Sequence, residues 1–241
     1  MAERPIFLPM QAGPTLVREV SFDIPWAGGF APVQKKKNVK SLHEAAAKSG
    51  YAPLLEVSTK SEIVVGQHLS AFHLKVHSNA GMVTLEAAYQ SSKVFERGGP
   101  YTDLLTVDAR TAKRDPRLSE AGRLVGFEFD GHQFPLTPQT AFYDWLYLSA
   151  IYPHRKWLQE RLTENGRFVG FTDIEFNPSK SINCQARSCA LFVALITRDK
   201  LEDAMQTPET FISMMEADGC SLHSRENKNR LALDTDELHR P

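Results

Sequence analysis

From Gln185 to Ile196 the chain reads Gln-Ala-Arg-Ser-Cys-Ala-Leu-Phe-Val-Ala-Leu-Ile, and past Ser188 no position offers a polar face. A run of that length and evenness predicts a helix buried on all sides, at the centre of whatever the chain builds. Every other element must wrap around it. Those elements are short and sharply punctuated. Val17 to Ile24 alternates as a strand and is broken by Pro25-Trp-Ala-Gly-Gly29, and Leu54 to Ser58 reads as a second strand. Between them, Gln34-Lys-Lys-Lys37 reads as a solvated loop. Ser41-Leu-His-Glu44 is a capping box that opens a helix to Lys48, with Gly50 placed to end it.

Leu69 to His77 alternates as a strand, and Asn79-Ala-Gly81 turns it back into Met82–Leu85 as a hairpin. Thr84 then caps a helix that runs from Leu85 to Phe95. Ala109 to Gly122 is a polar helix or helix pair interrupted at Asp115-Pro116. Leu124–Phe129 and Gln133–Leu136 form a hairpin around Asp130-Gly131, since Asp-Gly favours the tight turn such hairpins need. Thr137-Pro138 caps and opens an aromatic helix over Gln139 to Ile151, and Trp157 to Leu162 is a short helix. Phe168 to Phe176 mixes aromatic and acidic residues, and Thr207-Pro208 starts a last helix through Glu216. From His223 to Pro241 the composition turns charged and predicts a frayed tail. The sum is one α+β domain with a mostly helical core, short β-hairpins and no internal repeat.

Net charge is −1, which leaves no broad basic field for sequence-independent binding to nucleic acid. Any nucleic-acid substrate must then be recognised locally, around one nucleotide. The start of the chain has no signal-peptide h-region and no apolar run reaches membrane-spanning length, so a cytoplasmic protein without membrane contact is expected. Cys184, Cys189 and Cys220 form no C-x-x-C pair, and the eight histidines form no H-E-x-x-H, so no metal site is expected.

Four constellations carry polar chemistry. Glu86, Gln90 and Lys93 stand at i, i+4 and i+7, so a helix places an acid, an amide and an amine on one face. Leu85, Ala88, Tyr89 and Phe95 border that face and half bury it, and Glu86 in the first turn is favoured as the ionised form by the helix dipole. On the pattern alone a solvated stripe is the first reading and a site the alternative. Next comes Gly98-Gly-Pro-Tyr-Thr-Asp103, where glycines allow a backbone to approach a ligand or simply end a helix. Asp173, Glu175 and Asn177 alternate with apolar residues ahead of Asn183 and Arg187, which open the apolar helix; phosphate binding and ordinary capping are both open there. Phe142, Tyr143, Trp145 and Tyr147 at helical spacing read first as core, with a platform for a base as the alternative.

Together these segments resemble the NADAR superfamily. The matching residues are Leu69-Ser-Ala-Phe72, Glu86-x-x-Tyr-Gln-x-x-Lys93, Gly122-Arg123, the helix holding Phe142, and Phe171-x-Asp173 with Asn183, spanning roughly Leu69 to Ile196. Ser92–Leu104 and Gly170–Pro178 are similar to NADAR antitoxins encoded beside DarT-type toxins, and that subgroup also resembles residues 1–68. Departures are Leu69 and Ala71 where the family often has Phe and Asn, Phe171 where many members have Trp, and the Asp130-Gly131 hairpin, which resembles an insertion.

The resemblance implies a single NADAR-like domain over residues 69–222, an N-terminal α/β extension over 1–68 packed on it, and a flexible tail over 223–241. It implies an ADP-ribosyl hydrolase that removes ADP-ribose from guanine bases of DNA, undoing the modification made by a DarT-type partner toxin, with no cofactor. On that reading Lys93 is the covalent nucleophile, forming a Schiff base, and Glu86 and Asp173 position it, steady the cationic ribose and move protons. Gln90, Asn183 and Tyr101 bind ribose hydroxyls. Gly99, Arg123 and Arg187 hold diphosphate, and Phe72, Tyr89 or Phe142 stacks on a base. Ser70 and Asp103 complete the binding set. Two alternatives remain at this level: an N-glycosidase acting on a small nucleotide-like intermediate, and a binding module that reads ADP-ribose or holds the toxin without turnover.

Overall fold

The structure, a computed structural model, describes residues 1–29, 31–164 and 168–218. Its strands are β1 (Ala2–Pro9), β2 (Val17–Ile24), β3 (Leu54–Glu56), β4 (Lys75–Ser78), β5 (Gly81–Thr84), β6 (Lys93–Phe95), β7 (Leu124–Phe129), β8 (His132–Phe134) and β9 (Gly170–Thr172). Its helices are α1 (Pro32–Lys48), α2 (Val64–His68), α3 (Leu85–Ser91), α4 (Ala109–Lys113), α5 (Arg117–Glu120), α6 (Ala141–Ile151), α7 (Arg155–Leu162), α8 (Gln185–Thr197) and α9 (Leu201–Ala204). Residues 208–218 are also helical. The mixture is α+β, as the sequence predicts. None of the described helices is long and apolar enough to cross a membrane.

The apolar segment forms α8, and Ala190, Leu191, Phe192, Ala194 and Leu195 are wholly buried. It packs on a four-stranded sheet of order β2-β1-β9-β3. In that sheet β1 runs antiparallel to both β2 and β9, and β3 runs parallel to β9. Side chains alternate across the sheet. Leu55, Phe7 and Phe171 join the α8 core, while Leu54, Ile6, Leu8 and Ile174 join Leu42 and Ala46 of α1 on the other face. Residues 1–68 thus supply both neighbours of β9 and the helix that covers one face of it. The remaining strands form the β4–β5 hairpin and a β6-β7-β8 sheet. Asp130 (φ 49°) and Gly131 (φ 85°) make the turn between β7 and β8 that the Asp-Gly pair predicts.

Several expectations change. Helix α1 begins at Pro32, not Ser41, so the basic run Gln34–Lys37 lies inside it. Pro32 is preset for a first turn, and lysines are good helix formers whose heads can stay in water. The strand expected over Leu69–His77 is confined to Lys75–Ser78. Leu69 instead caps α2, and Ser70 to His73 form a turn in which the His73 amide donates to Ser70 O at 2.8 Å. Helix α3 stops at Ser91 rather than reaching Phe95. The Ser91 and Ser92 hydroxyls both donate to Ala88 O, at 3.0 and 2.7 Å, and the Ser91 and Ser92 carbonyls accept from Tyr101 N and Glu128 N. Serine side chains that bond back onto the helix in this way compete with its ladder. Helix α6 starts at Ala141 behind Thr140, later than the Thr137-Pro138 signal suggests. The tail from His223 to Pro241 and Cys220 lie outside the described residues.

Candidate functional site

Helix α3 is pinned at its start by Thr84, whose hydroxyl oxygen accepts from Ala87 N at 3.3 Å. That leaves Glu86 in the first turn and Gln90 one turn on, 5% exposed. Lys93 has left the helix for β6, yet its side chain comes back to the same row. Lys93 Nζ donates to Gln90 Oε1 at 2.7 Å, and Gln90 Nε2 donates to Glu86 Oε1 at 2.8 Å. The acid–amide–amine line expected from helical spacing therefore exists as a hydrogen-bonded chain. Lys113 of α4 reaches Glu86 Oε1 at 3.7 Å from the solvent side.

The amide between amine and carboxylate matters. Gln90 stands between Lys93 and Glu86 in place of a direct ion pair, and burial lowers the lysine pKa below its ordinary range; Glu86 opposes that shift and Lys113 adds to it. The ammonium lies 5.1 Å over the ring of Tyr89. Gly99 secures the strand behind it. With φ +89° and a would-be Cβ only 2.2 Å from Lys93 O, that position accommodates only glycine.

The β9–α8 connection brings the second set. Asp173 follows β9 and is buried; its Oδ1 accepts from Glu175 N at 3.0 Å, and its carboxylate also accepts from the Gln185 side chain. Burial pushes its pKa up to about 7, against the pull of those donors. Gln185 turns its Oε1 the other way to accept from Ala71 N at 2.7 Å, which fixes the Ser70–Phe72 turn beside the same segment. Asn183 Nδ2 donates to the Tyr89 hydroxyl at 2.7 Å, and so joins this set to the ring beneath Lys93. Tyr143 stands edge-on to Tyr89 at 5.6 Å and senses both Asp173 and Glu86; burial raises its phenol well above the ordinary range.

Two side-chain atoms here are buried without a protein partner: Ser70 Oγ and Asn183 Oδ1. Leaving such atoms unsatisfied costs about 1–3 kcal/mol each. A lysine with a lowered pKa and a carboxyl pushed up to about 7 supply the nucleophile and the proton donor that addition to an electrophilic carbon requires. No group of three or more His, Cys, Asp or Glu able to hold a metal occurs among the described residues.

The other expected site residues divide. Phe72 is 71% exposed at the end of the turn that Gln185 fixes, with a ring free to stack. Tyr101 lies under the Arg117 guanidinium at 4.5 Å, and Arg117 in turn binds both Asp103 oxygens, at 3.1 and 2.6 Å, and Asp115. Asp103 therefore serves the Gly-Gly-Pro-Tyr-Thr-Asp turn. Arg123 is exposed and pairs with Glu96 at 3.1 Å, just beyond the β6–β7 ladder that carries Lys93.

Two assignments are corrected. Phe142 is 2% exposed, its ring packed between Phe127 at 4.6 Å and Phe134 at 4.8 Å and stacked behind Tyr89 at 6.0 Å, so it builds the core and has no face for a base. Arg187 is bound to Asp144, a wholly buried carboxylate that also accepts from Ser188 Oγ at 2.6 Å. A guanidinium committed to neutralising a buried acid is not a free diphosphate clamp. Sequence reasoning missed Gln185 and Lys113. A glutamine in the first turn of a helix and a lysine on a polar helix carry no distinguishing signal, and only the crossing of elements gives them partners.

None of the curated proteins with which the chain was compared matches it. One family model does, described as the DarT1-associated NADAR antitoxin, and the match covers residues 2–225, which includes the four-stranded sheet, both halves of the site and the Lys93 strand. The chain belongs to the DarT1-associated NADAR antitoxin family.

Proposed function

We propose that this antitoxin is an ADP-ribosyl hydrolase that releases ADP-ribose from guanine bases of DNA, the modification its DarT1-type toxin partner would make. The observation that carries the reading is the Lys93–Gln90–Glu86 chain, joined through Tyr89 to a side chain with an orphaned buried oxygen, Asn183 Oδ1. Burial lowers the Lys93 pKa, which eases loss of the proton that its amine must shed to act as a nucleophile.

In the proposed reaction Lys93 Nζ forms a bond to the anomeric carbon as that carbon's bond to the guanine nitrogen breaks. Asp173, held protonated to about pH 7, gives its proton to the departing nitrogen, and Glu86 takes the proton that the new secondary amine sheds. The ribose C–O ring bond then opens, its oxygen takes the proton that Glu86 has collected, and the Lys93 nitrogen and the anomeric carbon share an iminium double bond. Water adds to that carbon and gives one proton to the Asp173 carboxylate; its second proton passes to the Lys93 nitrogen as the C–N bond breaks, which releases ADP-ribose and restores the lysine amine. Asn183, Gln90, Ser70 and Tyr101 hold sugar hydroxyls, Gly99 and Arg123 face the diphosphate, and Phe72 and Tyr89 offer rings to a base.

The test is borohydride trapping on DNA bearing ADP-ribosylated guanine, read by intact mass, alongside release of ADP-ribose. The expected result is an adduct on Lys93 and an activity loss of more than about 10⁴-fold in Lys93→Ala, beyond what losing a general acid or base costs. Full activity in Lys93→Ala would overturn the nucleophile. Binding of the modified DNA with no release in the native protein would leave a binding module instead.

A further inference from the structure

One buried ionisable group takes no part in the chemistry above. Glu56 ends β3 and is 3% exposed. Its carboxylate accepts from Ser58 Oγ at 2.6 Å, Thr172 Oγ1 at 2.7 Å and Ile174 N at 3.0 Å. Thr172 and Ile174 are the residues on either side of Asp173. The backbone reinforces the pairing, with Glu56 opposite Thr172 in the parallel register and Val57 N donating to Thr172 O at 2.7 Å. Sheet alternation then sends Asp173 to the α8 side, toward Gln185, while the clamp closes on the α1 side.

We propose that Glu56 is a positioning residue for Asp173: its carboxyl grips both neighbours of Asp173 and fixes where that carboxyl points, so that a side chain from the N-terminal 68 residues completes the catalytic centre. This rests on the reading of Asp173 as a proton donor.

The clamp also has two hydrogen-bond states. The Thr172 hydroxyl meets His43 Nε2 of α1 at 2.9 Å as well as Glu56. A hydroxyl has one proton to give. With Glu56 ionised, Thr172 donates to Glu56 and His43 must donate from Nε2. With Glu56 protonated on that oxygen, Glu56 donates to Thr172, Thr172 donates to His43, and the imidazole carries its proton on Nδ1. His43 stays neutral in both states, because burial holds its pKa down to about 4. Burial pushes Glu56 up to about 8, and the charge of Asp173 adds to the shift. The other titratable groups around the clamp are Glu175 after β9 and Lys60 after β3, 3.9 Å apart, the Cys184 thiol at the head of α8, which burial keeps uncharged, and Lys36, Lys37, Lys40, Glu44 and Glu62 on the α1 side. On the α1 side a cavity of about 600 Å³ lined by His43, Glu56, Lys36 and Glu62 opens onto it.

The experiment uses the full chain and DNA bearing ADP-ribosylated guanine, with kcat and KM measured from pH 5 to 9 for Glu56→Gln, Glu56→Ala, Thr172→Val and Asp173→Asn. Glu56→Gln keeps acceptors for Ser58 and Ile174 and a donor for Thr172. It should hold KM within about twofold and remove an ionisation near pH 8 from the kcat profile. Glu56→Ala should lower kcat by roughly 10–100-fold at similar KM, the scale on which a misplaced catalytic group loses rate. Thr172→Val, which removes one arm of the grip, should lower kcat less than Glu56→Ala but detectably. Ring ¹⁵N shifts of His43 should report a change of tautomer across pH 8 in the native protein and none in Glu56→Gln. If Asp173→Asn is fully active, the reading of Asp173 fails, whatever Glu56 does. If Asp173→Asn is inactive while Glu56→Gln and Thr172→Val keep native kcat, pH profile and His43 shifts, the Glu56 proposal is overturned. Those two variants also decide the matter if Glu56→Ala does not fold.

Discussion

Replacing Gly99 by alanine isolates what the Lys93 strand demands of its neighbour. The backbone there has φ +89°, a left-handed conformation that costs an L side chain about 1–2 kcal/mol. The new methyl would also lie 2.2 Å from Lys93 O, 3.2 Å from Lys93 C and 3.3 Å from the Val94 Cα, all backbone atoms that cannot rotate away. Restoring ordinary contact requires the two segments to part by roughly 1 Å, and overpacking of that kind costs about 1–3 kcal/mol. The sum is about 2–5 kcal/mol, or about 4–20 °C in Tm at 2–4 °C per kcal/mol for a chain of this size. Gly131 is the matched control, since its φ of +85° is nearly the same and its Cβ would meet nothing within 4 Å. Gly131→Ala should cost only the conformational part, about 1–2 kcal/mol. Urea unfolding of both variants measures the difference, and ADP-ribose release measured well below Tm tells whether Lys93 has moved. A displacement of about 1 Å should lower kcat of Gly99→Ala by up to about 10²-fold and leave Gly131→Ala unaffected. Equal destabilisation of the two variants would refute the steric argument, and native kcat in Gly99→Ala would refute its link to Lys93.

Three further outcomes are expected. Tyr147→Phe deletes the hydroxyl that donates to Leu69 O at 2.7 Å in the core, leaving that carbonyl unpaired; thermal unfolding should show a loss of about 1–3 kcal/mol, and KM should rise because the Ser70–Phe72 turn loosens. Arg187→Met strands the wholly buried Asp144 carboxylate and should cost about 3–5 kcal/mol in urea unfolding; a stable variant that had lost only substrate affinity would restore Arg187 as a diphosphate ligand. Stability should depend on pH through Asp173 and Glu56, whose folded pKa values of about 7 and about 8 lie above the ordinary carboxylate values of 3.8 and 4.5. The folded state then keeps protons that the unfolded chain releases, so this contribution is fully present below about pH 4 and is lost as pH rises through 7 to 8. Urea midpoints should therefore fall more steeply from pH 5 to 9 in the native protein than in Glu56→Gln; parallel curves would contradict it.

Local chemistry made much of the fold legible. The β1-facing strand Val17–Ile24, the Asp130-Gly131 turn, the Thr84 cap and α8 all follow from patterns of a few residues. What stayed hidden depends on partners far along the chain. Leu69–His77 has the alternation of a strand, but the hydroxyl of Tyr147 and the amide of Gln185 hold its first half as a turn. Lys93 illustrates both sides. Its place beside Gln90 and Glu86 was anticipated for a reason that does not hold, since α3 ends before it, and the side chain reaches the same row from a strand. Phe142 and Arg187 have residue types that suit a ligand, and only the burial of their neighbours reveals that packing and charge neutralisation have already claimed them. Glu56 bore no motif, and its importance appears only once β3 lies against β9.

The strand that delivers Asp173 is three residues long and is paired on one side through Phe7↔Phe171 and on the other through Leu55↔Phe171. Neither pairing is local, so β9 cannot organise until segments more than a hundred residues apart have met, the slow kind of closure in a folding chain. The same wiring runs in reverse. Any event that peels β1 or β3 from the sheet, a protease cut or a local opening included, would release Asp173 while Lys93, Gln90 and Glu86 stay joined on α3 and β6. On the proposed mechanism hydrolysis would then vanish before the lysine site did, and the lifetime of that activity would be set by the least stable edge of the sheet.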